Sequence, residues 1–142
     1  MIRIANGQGF WGDSLEAPVD QIRRGPIDYL TLDYLAEVTM SILQKQRTRD
    51  PQAGYARDFV DLIARVLPDL KDRRIRVIAN AGGINPMGCR DAVLERAERQ
   101  NLSLKVATVT GDDITDRLDQ FLKRGIELKN MDTGEQIGRA HV

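Results

Sequence analysis

Four short apolar runs alternate with longer amphipathic segments along this chain, and that alternation admits few folds. Ile2 to Ala5 ends at Asn6-Gly7, Tyr29 to Leu32 at Asp33, Ile75 to Ala79 at Asn80, and Lys105 to Val109 at Thr110-Gly111. Each run is too short for a stable helix and is closed by turn-forming residues, so each reads as a strand. Between the strands, Leu35, Val38, Ile42 and Leu43 share one helical face, and Phe59, Leu62, Ile63, Val66 and Leu67 share another. Cys89, Ala92, Val93 and Ala97 form a small-residue face suited to lying close on a sheet, and Ile114, Leu118, Phe121 and Leu122 form a fourth face. Strands separated by helices pair in parallel through right-handed crossovers. The expectation is a Rossmann-like α/β fold: an open parallel sheet of at least four strands with flanking helices. The second crossover should carry two helices, broken near Asp50-Pro51 and Gly54.

Composition narrows the function classes. A chain of 142 residues suits one domain, and 42% hydrophobic with 30% charged content is ordinary for a soluble one. Basic and acidic residues number 21 each, so no net field draws the chain to nucleic acid or to an anionic membrane. The single cysteine, Cys89, forms no internal disulfide, which fits the cytoplasm. No apolar stretch has the length of a signal peptide core or a membrane span. The expected partner is a small molecule.

Two glycine patterns resemble nucleotide motifs and depart from them in chemically important places. Gly7-Gln8-Gly9-Phe10-Trp11-Gly12 has the spacing of a dinucleotide fingerprint after a strand, with Asp33 where a ribose-binding acid would sit. Yet Phe10 and Trp11 are bulky where a helix must approach the sheet, and Asp13 puts negative charge where pyrophosphate would rest. Pro18 implies that the helix begins later. A dinucleotide-binding domain is therefore the weakest of the functional readings. Gly83-Ile84-Asn85-Pro86-Met87-Gly88 is spaced like a P-loop, but Cys89 and Arg90 stand where lysine and serine or threonine are needed.

Other residues carry the site expectation. Asn85 is a good helix N-cap with Pro86 at the first helical position, so Asn80, Gly82, Gly83 and Asn85 form a strand-turn-helix junction whose backbone N–H groups could hold a carbonyl or an anion. Asp113 and Asp116 suit the start of the last helix, leaving Asp112 as a strand-end acid beside Thr110 and Gly111. Asn6, Asp33, Asn80 and Thr110 each follow an expected parallel strand and would converge at one sheet edge. Asp33 and Asp112 are the candidate catalytic acids, for proton transfer or for help with a divalent ion. Asn6, Asn80, Gly82, Gly83, Asn85, Thr110 and Gly111 are the candidate substrate-binding residues. No His or Cys has zinc-ligand spacing, so no zinc site is expected, and Cys89 falls on an apolar face as a packed thiol. The sequence names no cofactor.

Ile4-Ala5-Asn6-Gly7, Phe10-Trp11-Gly12-Asp13, Asp28-Tyr29-Leu30 and Asp33-Tyr34-Leu35-Ala36-Glu37 resemble the start of the acyclic terpene utilisation family AtuA. Asn80 to Pro86, Val109 to Asp113, and Asn130-Met131-Asp132-Thr133-Gly134-Glu135 resemble later blocks of that family in the same order. The resemblance implies a role in breakdown of citronellol-type or other branched acyl-CoA compounds, with a CoA thioester among the substrates to consider. It carries over no catalytic residues. It also implies a longer protein, of which residues 1–136 are the N-terminal α/β region. An enzyme acting on such compounds is the leading reading, and a non-catalytic binding or assembly subunit is the alternative. A homo-oligomer or a pathway-enzyme partner would then cover what a truncated sheet leaves open.

Residues 137–142, Ile137-Gly138-Arg139-Ala140-His141-Val142, match what ATC GGA AGA GCA CAC GTC, a string from a sequencing-library adapter, would encode. The expectation is that these six residues are not native. His141, the only histidine, accordingly receives no catalytic role.

Overall fold

The computed structural model describes residues 1–135, apart from the Glu37 side chain, so the adapter-like segment 137–142 lies outside the described residues. The chain divides into two compact units, Met1–Val109 and Thr110–Val142. The first unit runs β1 (Ile4–Gln8), α1 (Glu16–Arg24), β2 (Tyr29–Leu32), α2 (Glu37–Arg49), α3 (Arg57–Arg73), β3 (Arg76–Ala79) and α4 (Pro86–Arg99). In the second, a 3-10 turn at Thr115–Arg117 leads into α5 (Leu118–Lys123).

The sheet has three strands, all parallel, in the order β1-β2-β3. Ala5, Leu30 and Val77 lie in one row and Asn6, Thr31 and Ile78 in the next, with an irregularity between Asn6 and Gln8. Sequential parallel strands joined by crossovers of one hand place every connecting helix on the same face. Accordingly α1 packs on α3 and α3 on α4, in one layer. Leu30, Leu32, Val66, Leu70, Ile75 and Val93 meet in the core beneath that layer. The opposite face is bare: Ile4 is 67% exposed and Ile78 is 58% exposed. The strand-order reversal of a doubly wound sheet is not present among the described strands.

The expected fourth strand is not formed among the described residues, so the sheet of at least four is corrected to three. The period-two pattern is nevertheless there. Leu102, Leu104, Val106 and Thr108 are half-buried, while Ser103, Lys105, Ala107 and Val109 are exposed. Leu104 and Val106 pack against the core, but no backbone hydrogen bond joins residues 103–109 to a neighbouring strand. Alternation shows which side chains face inward; a strand also needs a ladder partner.

Two helical details follow from sequence. Gly7 lies where α1 crosses closest, since a Cβ there would sit 2.9 Å from Pro18 Cβ. Within α3, Pro68 cannot donate to the Ala64 carbonyl. That carbonyl instead accepts from Gln100 Nε2 at 2.7 Å. The α2 face expected from Leu35, Val38, Ile42 and Leu43 is only partly used. Leu43 is fully buried, whereas Val38 and Ile42 are exposed. The buried positions of α2 are Thr39 and Leu43, four residues apart, with Leu43 set against the turn at Gly83. The faces expected of α3 and α4 are the buried ones. Helix α1 begins at Glu16, with Pro18 already inside its first turn, earlier than the proline alone implies.

Candidate functional site

The carboxyl ends of the three strands open on the bare face into a cleft of about 600 Å3 lined by Asn6, Thr31, Leu32, Asp33, Ile78, Ala79 and Asn80. Three of the expected site residues, Asn6, Asp33 and Asn80, therefore meet in one place. Asp33 and Asn80 follow β2 and β3 directly, whereas Asn6, expected to follow its strand, lies inside β1 opposite Thr31, and parallel register brings the three together.

Asn80 ties the strand ends together. Its Nδ2 donates to Asp33 Oδ1 at 2.7 Å, and its Oδ1 accepts from the Tyr34 N–H at 2.7 Å. Asp33 Oδ1 also accepts the Leu35 N–H at 3.1 Å. These donors, Asn80 foremost, hold the Asp33 carboxyl below the usual carboxylate range. Asp33 is thus an anion at neutral pH, and its Oδ2 takes no hydrogen bond among the described residues. Thr31 Oγ1 donates toward Ala5 O at 3.2 Å and Asn6 Oδ1 at 3.3 Å. With its Oδ1 so engaged, Asn6, a lining residue of the cleft, has its Nδ2 as the remaining side-chain donor. Sequence reading missed Thr31, although a lone polar residue between Leu30 and Leu32 was the available signal.

The strand-turn-helix junction is built differently from the expectation of free N–H groups. Gly83 N–H donates to Asn80 O, Ile84 N–H to Gly54 O, and Asn85 N–H to Gly82 O. Asn85 caps α4 through Gly88 N–H at 3.0 Å and donates through Nδ2 to Ala53 O at 2.9 Å. Gly82 and Gly83 are required by packing. A Cβ at Gly82 would lie 2.9 Å from Pro86 Cα, and one at Gly83 would lie 2.3 Å from Leu43 Cδ1. Gly83 and Asn85 therefore pin the α2–α3 connection, Gly82 packs on Pro86, and none of the three lines the cleft. Thr110, Gly111 and Asp112 open the second unit, where all three are exposed. Asp113 Oδ1 accepts the Thr115 N–H at 2.9 Å at the entry to the 3-10 turn, but it does not cap the last helix, which begins at Leu118 with no capping side chain.

The Gly7 to Gly12 loop has its own internal anion. Asp13 accepts from Gly9 N–H at 3.1 Å and Ser14 N–H at 2.7 Å, the type of donors a pyrophosphate would need. Those bonds hold its carboxyl below the ordinary range. Behind this loop the Gln8 side chain is buried beside Tyr34, and its amide atoms and the Tyr34 hydroxyl make no well-formed hydrogen bond among the described residues. Burial, then the Asp58 charge, pushes the Tyr34 hydroxyl far above the tyrosine range. Burial also pushes the Cys89 thiol up to about 11, which makes it a packed group and a poor nucleophile. Among the described residues, no cluster of three or more His, Cys, Asp or Glu could hold a metal ion, and no helix is long and apolar enough to cross a membrane.

The model of the acyclic terpene utilisation family protein AtuA matches residues 2–141, nearly the whole chain. The chain belongs to the AtuA family. No curated protein and no solved structure matches it. Membership associates this AtuA-family chain with acyclic terpene utilisation.

Proposed function

We propose that this AtuA-family protein acts in the breakdown of acyclic terpenes or related branched acyl compounds, and that the Asp33 cleft holds the oxygenated end of the substrate. The observation that carries the reading is the pairing of opposite hydrogen-bond roles within an apolar cleft. Asp33 Oδ2 can accept from a hydroxyl, and Asn6 Nδ2 can donate to a carbonyl, beside Leu32, Ile78 and Ala79. An anionic Asp33 repels a free carboxylate, so the site suits a neutral group, an alcohol or a thioester carbonyl. The cleft lies outside the carboxyl ends of the parallel strands, the position a ligand would take if the sheet belongs to a Rossmann-like fold. In the enzyme reading Asp33 accepts the hydrogen bond of the bound hydroxyl and is the acid–base group of the cleft. The unpaired cysteine supports a cytoplasmic setting.

A second reading, a non-catalytic subunit of an acyl-CoA pathway, is favoured by one feature. Asn80 and the Leu35 N–H lower the basicity of Asp33, which suits binding better than proton abstraction. Its bare sheet face would then meet a pathway enzyme or a second copy. The test is titration with citronellol and with its acyl-CoA derivative, alongside turnover assays. Saturable binding that weakens about tenfold in Asp33→Ala supports the site, since a hydrogen bond to a charged group is of that size. Unchanged affinity in Asp33→Ala would remove it. Turnover lost in Asp33→Asn with binding retained selects the enzyme reading.

A further inference from the structure

The loop after β1, the end of α2 and the start of α3 border a second, open cleft of about 480 Å3, with Trp11, Arg49, Asp50, Tyr55, Arg57 and Asp58 among its walls. None of these residues lines the Asp33 cleft. We infer that this cleft binds a planar ring bearing an anionic group, chemistry shared by purine nucleotides and aromatic carboxylates. The volume falls within the range of small-molecule sites. Trp11 and Tyr55 are each half-buried against the core, which leaves part of both rings facing the cleft. The indole is fixed, because its Nε1–H donates to Asp58 Oδ1 at 3.0 Å. A fixed aromatic wall stacks a planar ring at little entropic cost.

The lining carries two cations and two anions. Arg57 is paired with Asp50 at 3.0 Å, and Asp58, in the first turn of α3, keeps its charge while accepting the indole N–H. The anion would therefore have to sit on the Arg49 side of the cleft. Arg49 makes no ion pair or hydrogen bond among the described residues and is exposed at the end of α2. Helix α3 begins at the same cleft after Ala56, with no capping side chain, so its first N–H groups are not satisfied by a cap. An arginine and a helix N-terminus around a ring-stacking wall make a complementary set for a carboxylate or phosphate attached to the ring.

Trp11 is the only tryptophan in the chain, so intrinsic fluorescence reports on this cleft directly. The protein is titrated with AMP, adenosine, benzoate and inorganic phosphate, and the titrations are repeated with Arg49→Ala. A saturable change with AMP or benzoate at millimolar concentration is expected, with AMP alone indicating a nucleotide and benzoate alone an aromatic acid. Arg49→Ala should weaken that ligand about tenfold, the loss of one charge-assisted contact, while leaving adenosine unaffected. A thermal melt of the same variant separates this effect from the ordinary role of an arginine in opposing the α2 dipole. No saturation by any ring compound, or an Arg49→Ala variant that binds AMP and benzoate as the parent does, overturns the inference. Phosphate binding as tightly as AMP also overturns it, since the rings would then contribute nothing.

Discussion

The Asn80 side chain donates to the Asp33 carboxylate at 2.7 Å while accepting the N–H of the next residue, Tyr34, also at 2.7 Å. One amide thus fixes both the acid of the cleft and the backbone that carries it. Asn80→Ala should let the Asp33 carboxyl rise toward its ordinary value of about 3.9 and cost about 1–2 kcal/mol through the orphaned Tyr34 N–H. Carboxyl NMR titration and urea unfolding measure the two effects. An unmoved Asp33 titration would show that Asn80 does not set it.

The same bond gives a pH dependence of definite sign. Asp33 is depressed in the folded state, so its contribution to stability is full above the unfolded value and is lost as pH falls through the folded one. Asp28, held low chiefly by Arg3, and Asp13, held low by backbone N–H groups, act in the same direction. Stability should therefore decline below about pH 4, and the decline should be shallower in Asn80→Ala. Thermal melts between neutral and acid pH record it.

Glycine substitutions separate packing from backbone strain. Gly83→Ala meets Leu43 and the Gly54 carbonyl at a positive φ of 51°, whereas Gly12→Ala at φ 98° meets nothing within 4 Å. The first should cost about 3 kcal/mol or more, the sum of overpacking and a left-handed backbone, and the second about 1–2 kcal/mol. Equal losses in chemical denaturation would contradict the contact at Leu43.

The two sheet faces should respond oppositely to truncation. Leu30 is fully buried and Leu30→Ala should lose about 2–5 kcal/mol. Ile78→Thr, on the bare face, should stay within about 0.5 kcal/mol. A large loss at Ile78 would mean that something covers that face.

Much of the fold was legible because it rests on local rules. The three-and-four spacing from Phe59 to Leu67 follows the stripe that α3 buries, and Asn85-Pro86 marked the start of α4. The residues from Lys105 to Val109 show the limit. Their alternation is real, yet pairing depends on a neighbour that no local pattern encodes. The site divides in the same way. Strand-end position located Asp33 and Asn80, since parallel register brings strand ends together, while Asn6 reaches the cleft from inside β1, which runs on to Gln8. Gly82, Gly83 and Asn85 looked like a ligand cradle because capping and packing use the same residue types, and only the partners of their N–H groups distinguish the two. Trp11 and Arg49 could not be joined from sequence, because the cleft they share depends on how α2 and α3 meet the loop after β1.

The most direct test of the account is an NMR titration with citronellol that follows the Asn6 side-chain NH2 and the Thr31 and Asp33 amides. The account predicts saturable shifts at these three residues, reduced in Asp33→Ala. Unmoved signals there, or shifts confined to residues outside the cleft, would contradict it.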